Sequence, residues 1–247
     1  MTPEEELSAL REENAQLRKA LNDRDEFVRR TFGRFLTDEV LEEILSGQLG
    51  IGGERRIVSI MFCDLRRSTQ LSEQMDPADF IRMLNHFFSE MIEIINAWQG
   101  NILDFVGDEI VAVFGAPRPG TFSARDAVVC AVAMQRRMGA VNDWNRENGF
   151  PEISMGIGLH TGEAILGNIG SETRTKYDMI GRNVNLAARI QGYTAGGQIL
   201  CSTELLYAAG DAVIINPAGA MCVTPKGILE PILLHDVIGY GKQYIHK

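Results

Sequence analysis

Two carboxylates stand out by their placement. Asp64 closes the run Arg56-Ile-Val-Ser-Ile-Met-Phe-Cys63, whose β-branched residues read as a buried strand. An acid at the end of a core strand is held rigidly while its oxygens reach the surface, as a metal ligand must be. Leu65-Arg66-Arg67-Ser68-Thr69 follows, and its hydroxyls and amides suit a phosphate chain. Taken alone, Asp64 is an ordinary acid capping the next turn. Asp108 changes that reading. It lies in Asn101-Ile-Leu-Asp-Phe-Val-Gly-Asp-Glu-Ile-Val-Ala-Val-Phe-Gly115, two apolar runs joined as a β-hairpin with Gly107-Asp108 at the tip. If the hairpin lies beside the first strand, the two acids share a site and repel. Oxygen-ligated Mg²⁺ is the natural counter-charge, because it takes one or two carboxylates together with substrate phosphates.

A third stretch, Leu159-His-Thr-Gly-Glu-Ala-Ile-Leu-Gly-Asn-Ile-Gly170, reads as a glycine-punctuated turn between apolar runs. Lys176-Tyr-Asp-Met-Ile-Gly181 then reads as a strand, and a helical pattern begins near Asn183. Asn185 and Arg189 are four apart and so share a helix face. Asn can donate to and accept from a ribose, and the Arg fork binds phosphate.

These residues need elements to hold them. From Arg56 the order is strand, helix, hairpin, helix, strand. The helices span about Pro77–Trp98 and Ala124–Asn148, and the closing strand Ile153–Leu159. The first helix places Phe80, Met83, Leu84, Phe87, Met91, Ile94 and Ile95 on one face. This is an α+β, ferredoxin-like βαββαβ core, with helices on one face of a mainly antiparallel sheet.

The 247 residues carry a formal net charge of −9, and nearly half are apolar, enough for one sizeable domain and an appendage. The acidic balance argues against nucleic acid as a partner. No apolar run is long enough for a transmembrane segment. The four cysteines, Cys63, Cys130, Cys201 and Cys222, lack paired spacing and read as reduced core thiols in a cytoplasmic protein. His86 and His160 belong to no zinc-type cluster, and His160 is expected at a strand end.

The N-terminal segment differs in character. Leu7, Asn14, Leu21 and Val28 recur every seven residues, interleaved with Leu10, Leu17, Arg24 and Thr31. This predicts a coiled-coil helix over 1–29, and Asn14 on the seam favours a parallel homodimer. Residues 30–53 read as a short turn, a second helix capped by Thr37, and a glycine-rich linker. The main domain then spans 54–247.

Together, Ser59–Thr69, Phe105–Gly115, Gly158–Gly170 and Tyr177–Gln191 resemble the class III nucleotidyl cyclases, the adenylyl and guanylyl cyclase catalytic domain. Residues 30–45 resemble the helical transducing element upstream of bacterial cyclase domains. The resemblance implies a homodimer, joined through the catalytic domain and the coiled coil, with two sites at its interface. Asp64, the Leu65 carbonyl and Asp108 of one chain would hold two Mg²⁺ (or Mn²⁺) ions. Arg66, Ser68 and Thr69 belong to the loop implied to hold the β- and γ-phosphates. The other chain would supply Asn185 near the ribose, Arg189 on the α-phosphate and Lys226 on the triphosphate. The implied reaction is the conversion of ATP to 3′,5′-cyclic AMP and pyrophosphate in signal transduction, driven by an upstream sensor domain or partner.

The base-facing positions depart from the family. Adenylyl cyclases usually carry Lys where this chain has Asp104, and guanylyl cyclases carry Glu there. Asp178 fits the adenine amine but would meet the guanine O6 acceptor to acceptor. ATP is the favoured substrate and GTP the alternative. A non-catalytic regulatory dimer is a reading from another class. So is a diguanylate-cyclase-like enzyme, but its GG[DE]EF-type hairpin is replaced here by Val-Gly-Asp-Glu.

Overall fold

The computed structural model describes residues 3–33, 41–42, 45, 52–117, 123–171, 173–226 and 230–245. The chain divides into two units, Met1–Gly50 and Ile51–Lys247. In the first, α1 (Pro3–Phe32) is one helix of 30 residues. Leu7, Leu10, Leu17 and Leu21 are each at least half exposed along it. The expected Thr37 cap and most of the second helix and linker lie outside the described residues.

The second unit is built on a sheet. Its elements begin with β1 (Gly52–Leu65), α2 (Ser68–Gln74) and α3 (Pro77–Ala97). The hairpin β2 (Gly100–Val106) and β3 (Glu109–Phe114) leads into α4 (Ser123–Glu147). Then come β4 (Met155–Ser171), β5 (Arg174–Ile180) and α5 (Arg182–Gly192). The chain continues through β6 (Ile199–Ser202), α6 (Thr203–Ala209), β7 (Val213–Ile215) and β8 (Met221–Val223). It closes with β9 (Ile232–Tyr240) and β10 (Gln243–Tyr244). The strand order is β10-β9-β6-β4-β1-β3-β2, with β5 added on β4 and β7 and β8 on β9. All pairs are antiparallel except β4 with β6. The α+β, βαββαβ core predicted from sequence is therefore present.

α3 begins where the Asp76 side chain accepts from the Ala78 amide at 2.9 Å and Pro77 occupies the first helical position. Its buried stripe, Met83, Phe87, Met91, Ile94 and Ile95, packs with Ala127, Val128, Ala131, Met134, Met138 and Val141 of α4. Both helices cover the face of the sheet that carries Met61, Cys63, Met155, Ile157 and Leu159.

Four expectations are corrected. β1 begins at Gly52, so Gly52 and Gly53 of the expected linker already belong to the sheet. The stretch Leu159–Gly170 is not a turn but the second half of the 17-residue β4, held extended by pairing with β1 from Gly52↔Asn168 to Leu65↔Met155. His160 consequently sits inside a strand rather than at its end. The two core helices α3 and α4 share one face of the sheet, as expected. α5 lies on the opposite one, where Leu186 and Ile190 meet Leu200 of β6 and Leu234 of β9. Cys63, Cys130 and Cys201 are buried free thiols as expected, but Cys222 is exposed. Among the described residues no helix is long and apolar enough to cross a membrane.

Candidate active site

The full β1–β4 ladder fixes Asp64 one residue before the end of β1, opposite Gly156. The β3 ladder sets the hairpin beside it, with Cys63 opposite Ile110. Asp108 thus comes alongside Asp64, and its Oδ2 accepts from the Leu65 amide at 3.2 Å. Burial pushes the Asp64 carboxyl up to about 7, helped by the hydrogen bond and negative charge of Asp108 and opposed by Arg66. Glu109 is also raised, first by burial and then by Asp108. The structure therefore unites Asp64 and Asp108 as expected and adds Glu109, which the sequence reading passed over. Its signal was available: in the hairpin, Glu109 directly follows Asp108.

The loop after Asp64 is pinned at its backbone, where the Arg66 amide donates to the Ser154 carbonyl at 2.8 Å. Arg67 adopts the left-handed conformation, φ 62°, to turn the chain into α2. The Arg66 guanidinium folds back on Asp64 at 2.9 Å and reaches the Thr194 carbonyl at 3.4 Å. A cavity of about 530 Å³ lies beside this loop, lined by Arg66, Arg67, Gln70, Leu71, Gln74, Glu152, Ser154 and Gly196. Ser68 and Thr69 open α2, Ser68 partly buried and Thr69 exposed.

Two carboxylates with one of them held partly protonated fit a divalent cation: charge is missing where it is needed. Among the described residues no cluster of three or more His, Cys, Asp or Glu could ligate a metal. Such an ion would draw its remaining ligands from the Leu65 carbonyl, water and phosphate oxygens, the donor set that Mg²⁺ prefers.

Asn185 and Arg189 lie together on α5. That helix is seated by small residues on one face of β4, where Gly156, Gly158, His160 and Gly162 alternate. A Cβ at Gly158 would stand 2.5 Å from Gln191 Cα, and one at Gly162 would stand 2.5 Å from Asn183 Nδ2. The helix axis can approach this closely only over glycine. His160 adds a polar clasp. Asn183 Nδ2 donates to the Glu163 carbonyl at 2.8 Å, so its Oδ1 accepts from His160 Nε2 at 3.1 Å. His160 Nδ1 then accepts from the Ser202 hydroxyl at 2.7 Å. Burial lowers the His160 pKa, which keeps the neutral ring this relay needs. Asn185 is exposed and Arg189 half-buried, and neither side chain has a partner among the described residues. Lys226 is exposed in a turn before β9.

A second cluster joins β2 to β5. Lys176 Nζ donates to Asp104 Oδ2 at 2.6 Å and to Asp178 Oδ2 at 3.3 Å. Asp104 and Asp178 are thereby brought together as the sequence suggested, but through a lysine it did not single out.

The comparisons with known proteins now bear on this geometry. A family model described as the adenylate and guanylate cyclase catalytic domain matches residues 53–229. The chain belongs to this family. As a class III cyclase domain it is similar to Adenylate cyclase 1 of Rhizobium meliloti, 32% identical over 85% of this chain and 32% of that protein. Among solved structures it resembles the guanylyl cyclase Cya2, with 44% identity, a TM-score of 0.75, and 78% of this chain and 98% of that one covered. It also resembles the adenylyl cyclase CyaB from P. aeruginosa, with 30% identity, a TM-score of 0.73, and 77% and 98% covered. The chain spans about a third of the length of the curated relatives it matches. The βαββαβ core, from Gly53 of β1 to the end of β4, lies within the matched residues, and β9 and β10 follow them.

Proposed function

We propose that this cyclase domain converts ATP to 3′,5′-cyclic AMP and pyrophosphate at sites shared by two copies of the chain. The observation that carries the reading is the Asp64–Asp108 pair, two adjoining carboxylates at the rim of a core sheet with one pushed up to about 7. Asp64, Asp108 and the Leu65 carbonyl would hold two Mg²⁺ or Mn²⁺ ions, which supply charge neutralisation and a more acidic 3′-hydroxyl when bound.

The chain's own residues do the rest. Asn185 positions the ribose so that its 3′-oxygen stands in line with the α-phosphorus. The P–O bond to the β-phosphate breaks as the new P–O bond forms, and the proton of the 3′-hydroxyl passes to solvent. Arg189, presented without a competing partner, stabilises the charge that builds on the α-phosphate. Arg66, Ser68 and Thr69 line the path of the β- and γ-phosphates, and Lys226, which like Asn185 and Arg189 would come from the other copy, meets the triphosphate whose pyrophosphate departs. Asp178 accepts from the adenine amine. Exposed leucines along α1 support a parallel coiled coil as the second contact between the copies. An upstream sensor or partner would act through that helix in signalling.

Guanylate cyclase activity is the second reading. Asp104 favours it, having the carboxylate chemistry that accepts from the guanine N1–H and amine, and so does the likeness to Cya2. Turnover of ATP and GTP, offered separately with Mg²⁺ or Mn²⁺, tests both readings when the products are identified by chromatography. Cyclic AMP supports the first and cyclic GMP alone the second. Formation of neither would overturn both and favour a non-catalytic regulatory dimer.

A further inference from the structure

α5 carries Asn185 and Arg189, yet its own sequence does little to fix its start. Gly181 stands at the N-cap with no side-chain hydrogen bond, and the first turn holds no acidic residue. The hold comes from outside the helix. Asn183 lies against Gly162 of β4, and both ends of its amide are used, by the Glu163 carbonyl and by His160. His160 is buried at 2% exposure. The hydrogen bonds here run in one direction. The Leu205 amide donates to Ser202 Oγ at 3.3 Å, and the Ser202 hydroxyl donates to His160 Nδ1. His160 Nε2–H donates to Asn183 Oδ1, and Asn183 Nδ2 donates to the Glu163 carbonyl. Each side chain in this row takes one hydrogen bond and gives one. Ser202 is also the N-cap of α6, so the row is anchored on a second helix.

We propose, on the cyclase reading above, that His160 and Asn183 are positioning residues for the reaction: their hydrogen bond sets the rotation of α5 about its axis and so the aim of Asn185 and Arg189. The Gly158 seat under Gln191 and the apolar contacts of Leu186 and Ile190 fix the height of the helix. Apolar contacts have no preferred direction, whereas a hydrogen bond has one. At 3.6 residues per turn, Asn185 lies about 200° around the axis from Asn183, and Arg189 about 240°. Both therefore project away from β4, at the far end of the lever that Asn183 holds. A roll of about 10° moves an atom about 5–6 Å from the axis by about 1 Å. Misplacement of that size can cost ~10²-fold in rate.

The plainer account is a buried histidine paired for stability alone. Both accounts give a lower Tm when the row is cut. They differ when the ring is lost and only one of its hydrogen bonds is kept. In His160→Gln the side-chain N–H reaches the place of Nε2 and still donates to Asn183. In His160→Asn the amide reaches only the place of Nδ1, so Ser202 keeps a partner and Asn183 does not.

The test uses the full chain with His160→Gln, His160→Asn, Asn183→Ala and the last two combined. Tm, kcat, KM for the nucleotide that turns over, and amide hydrogen exchange along α5 are measured on each. His160→Gln and His160→Asn lose the same ring and should fall in Tm alike. His160→Asn and Asn183→Ala should each lower kcat about tenfold or more with KM within about threefold, because the carboxylate pair and the phosphate loop are untouched. His160→Gln should keep kcat within about threefold of the parent. The combined variant should be less than about twofold slower than the worse single one, because the two residues act through one bond. Exchange at the Asn185 amide, which donates to the Gly181 carbonyl, should quicken in His160→Asn and not in His160→Gln. Equal kcat in the two His160 variants, or additive losses in the combined one, would overturn the proposal. Parental kcat in Asn183→Ala does so even where the His160 variants fail to fold. Cyclic product formed at the parental rate by every variant removes the positioning role and leaves the cyclase reading standing. No cyclic product from ATP or GTP with the unaltered chain sinks that reading, and the exchange difference then decides alone whether the bond holds α5.

Discussion

Replacing Gly158 by alanine perturbs the seat of α5 and nothing else nearby. The added Cβ would stand 2.5 Å from Gln191 Cα, where ordinary contact begins at 3.4 Å. The obstacle is backbone, so no rotamer change relieves it. Either α5 lifts by about 1 Å or β4 bends by as much. Overpacking of this kind costs about 1–3 kcal/mol. For a domain of this size that is a fall in Tm of roughly 2–12 °C. The functional loss should be larger. Arg189 lies two residues from Gln191 on the same helix, so a lift at one carries the other, and a displacement of about 1 Å can cost ~10²-fold in rate. Thermal unfolding and cyclic nucleotide formation, measured on the same preparation, read both effects. Gly139→Ala is the control. Gly139 is an exposed position of α4 where a Cβ meets nothing within 4 Å, so the same chemical change should leave the stability equal or raise it by up to ~1 kcal/mol of helix propensity, with Tm unchanged or higher. If Gly158→Ala keeps both Tm and turnover within error of the parent, α5 is not seated over β4 glycine and the reasoning fails.

Two further outcomes follow from the site. Arg189→Ala should leave Tm within about 2 °C, since the side chain has no partner among the described residues, yet lower kcat by about 10²–10³-fold or more. Arg189→Lys should recover little, because a point charge lacks the planar fork. The second concerns pH. Asp64 is raised to about 7 in the fold, above its ordinary value of 3.8, mainly by burial and then by Asp108. Its favourable contribution is complete below about pH 4 and is lost as pH rises through 7. The metal-free domain should therefore lose thermal stability across that window, and added Mg²⁺ should restore more of it at pH 8 than at pH 5. Asp64→Asn should flatten both trends, and a parent profile that rises toward pH 7 with the same slope in the variant would refute the assignment.

The sequence made local placement legible. A β-branched run ending in Asp64, a hairpin with Asp108 at its tip, and Asn185 and Arg189 at helical spacing all depend on neighbours within about ten residues, and the structure shows each of these elements. What failed was the meaning of glycine. In Leu159–Gly170 the glycines look like turn residues, because local propensity prices them as breakers. Their actual cause is a helix more than twenty residues further on, which presses Asn183 and Gln191 against Gly162 and Gly158. The same blindness hid Lys176. Nothing local to Thr175-Lys-Tyr-Asp178 announces that the lysine will meet a residue of β2.

That meeting is a consequence of sheet twist. Asp178 lies opposite Gly167, which lies opposite Gly53 of β1. Asp104 lies opposite Val111, which lies opposite Phe62 of the same strand. At about 3.3 Å per residue, Gly53 and Phe62 are roughly 30 Å apart along β1. In a flat sheet Lys176 could not touch Asp104, yet it stands 2.6 Å away. The long β1–β4 ribbon must therefore coil, as two-stranded ribbons do more strongly than wide sheets, and return β5 toward β2. The coil sorts the chemistry into two groups. Lys176, Asp178, Asn185 and Arg189 all hang from β4, through β5 and the Gly181 turn into α5. Asp64, Asp108 and Asp104 belong to the β1–β3–β2 end, and Asp104 touches the first group through Lys176. Among the described residues no hydrogen bond or ion pair joins Asp64 or Asp108 to Asp178, Asn185 or Arg189. On the proposed reading, a nucleotide gripped at its base and α-phosphate by the first group would face the carboxylate pair of a second copy.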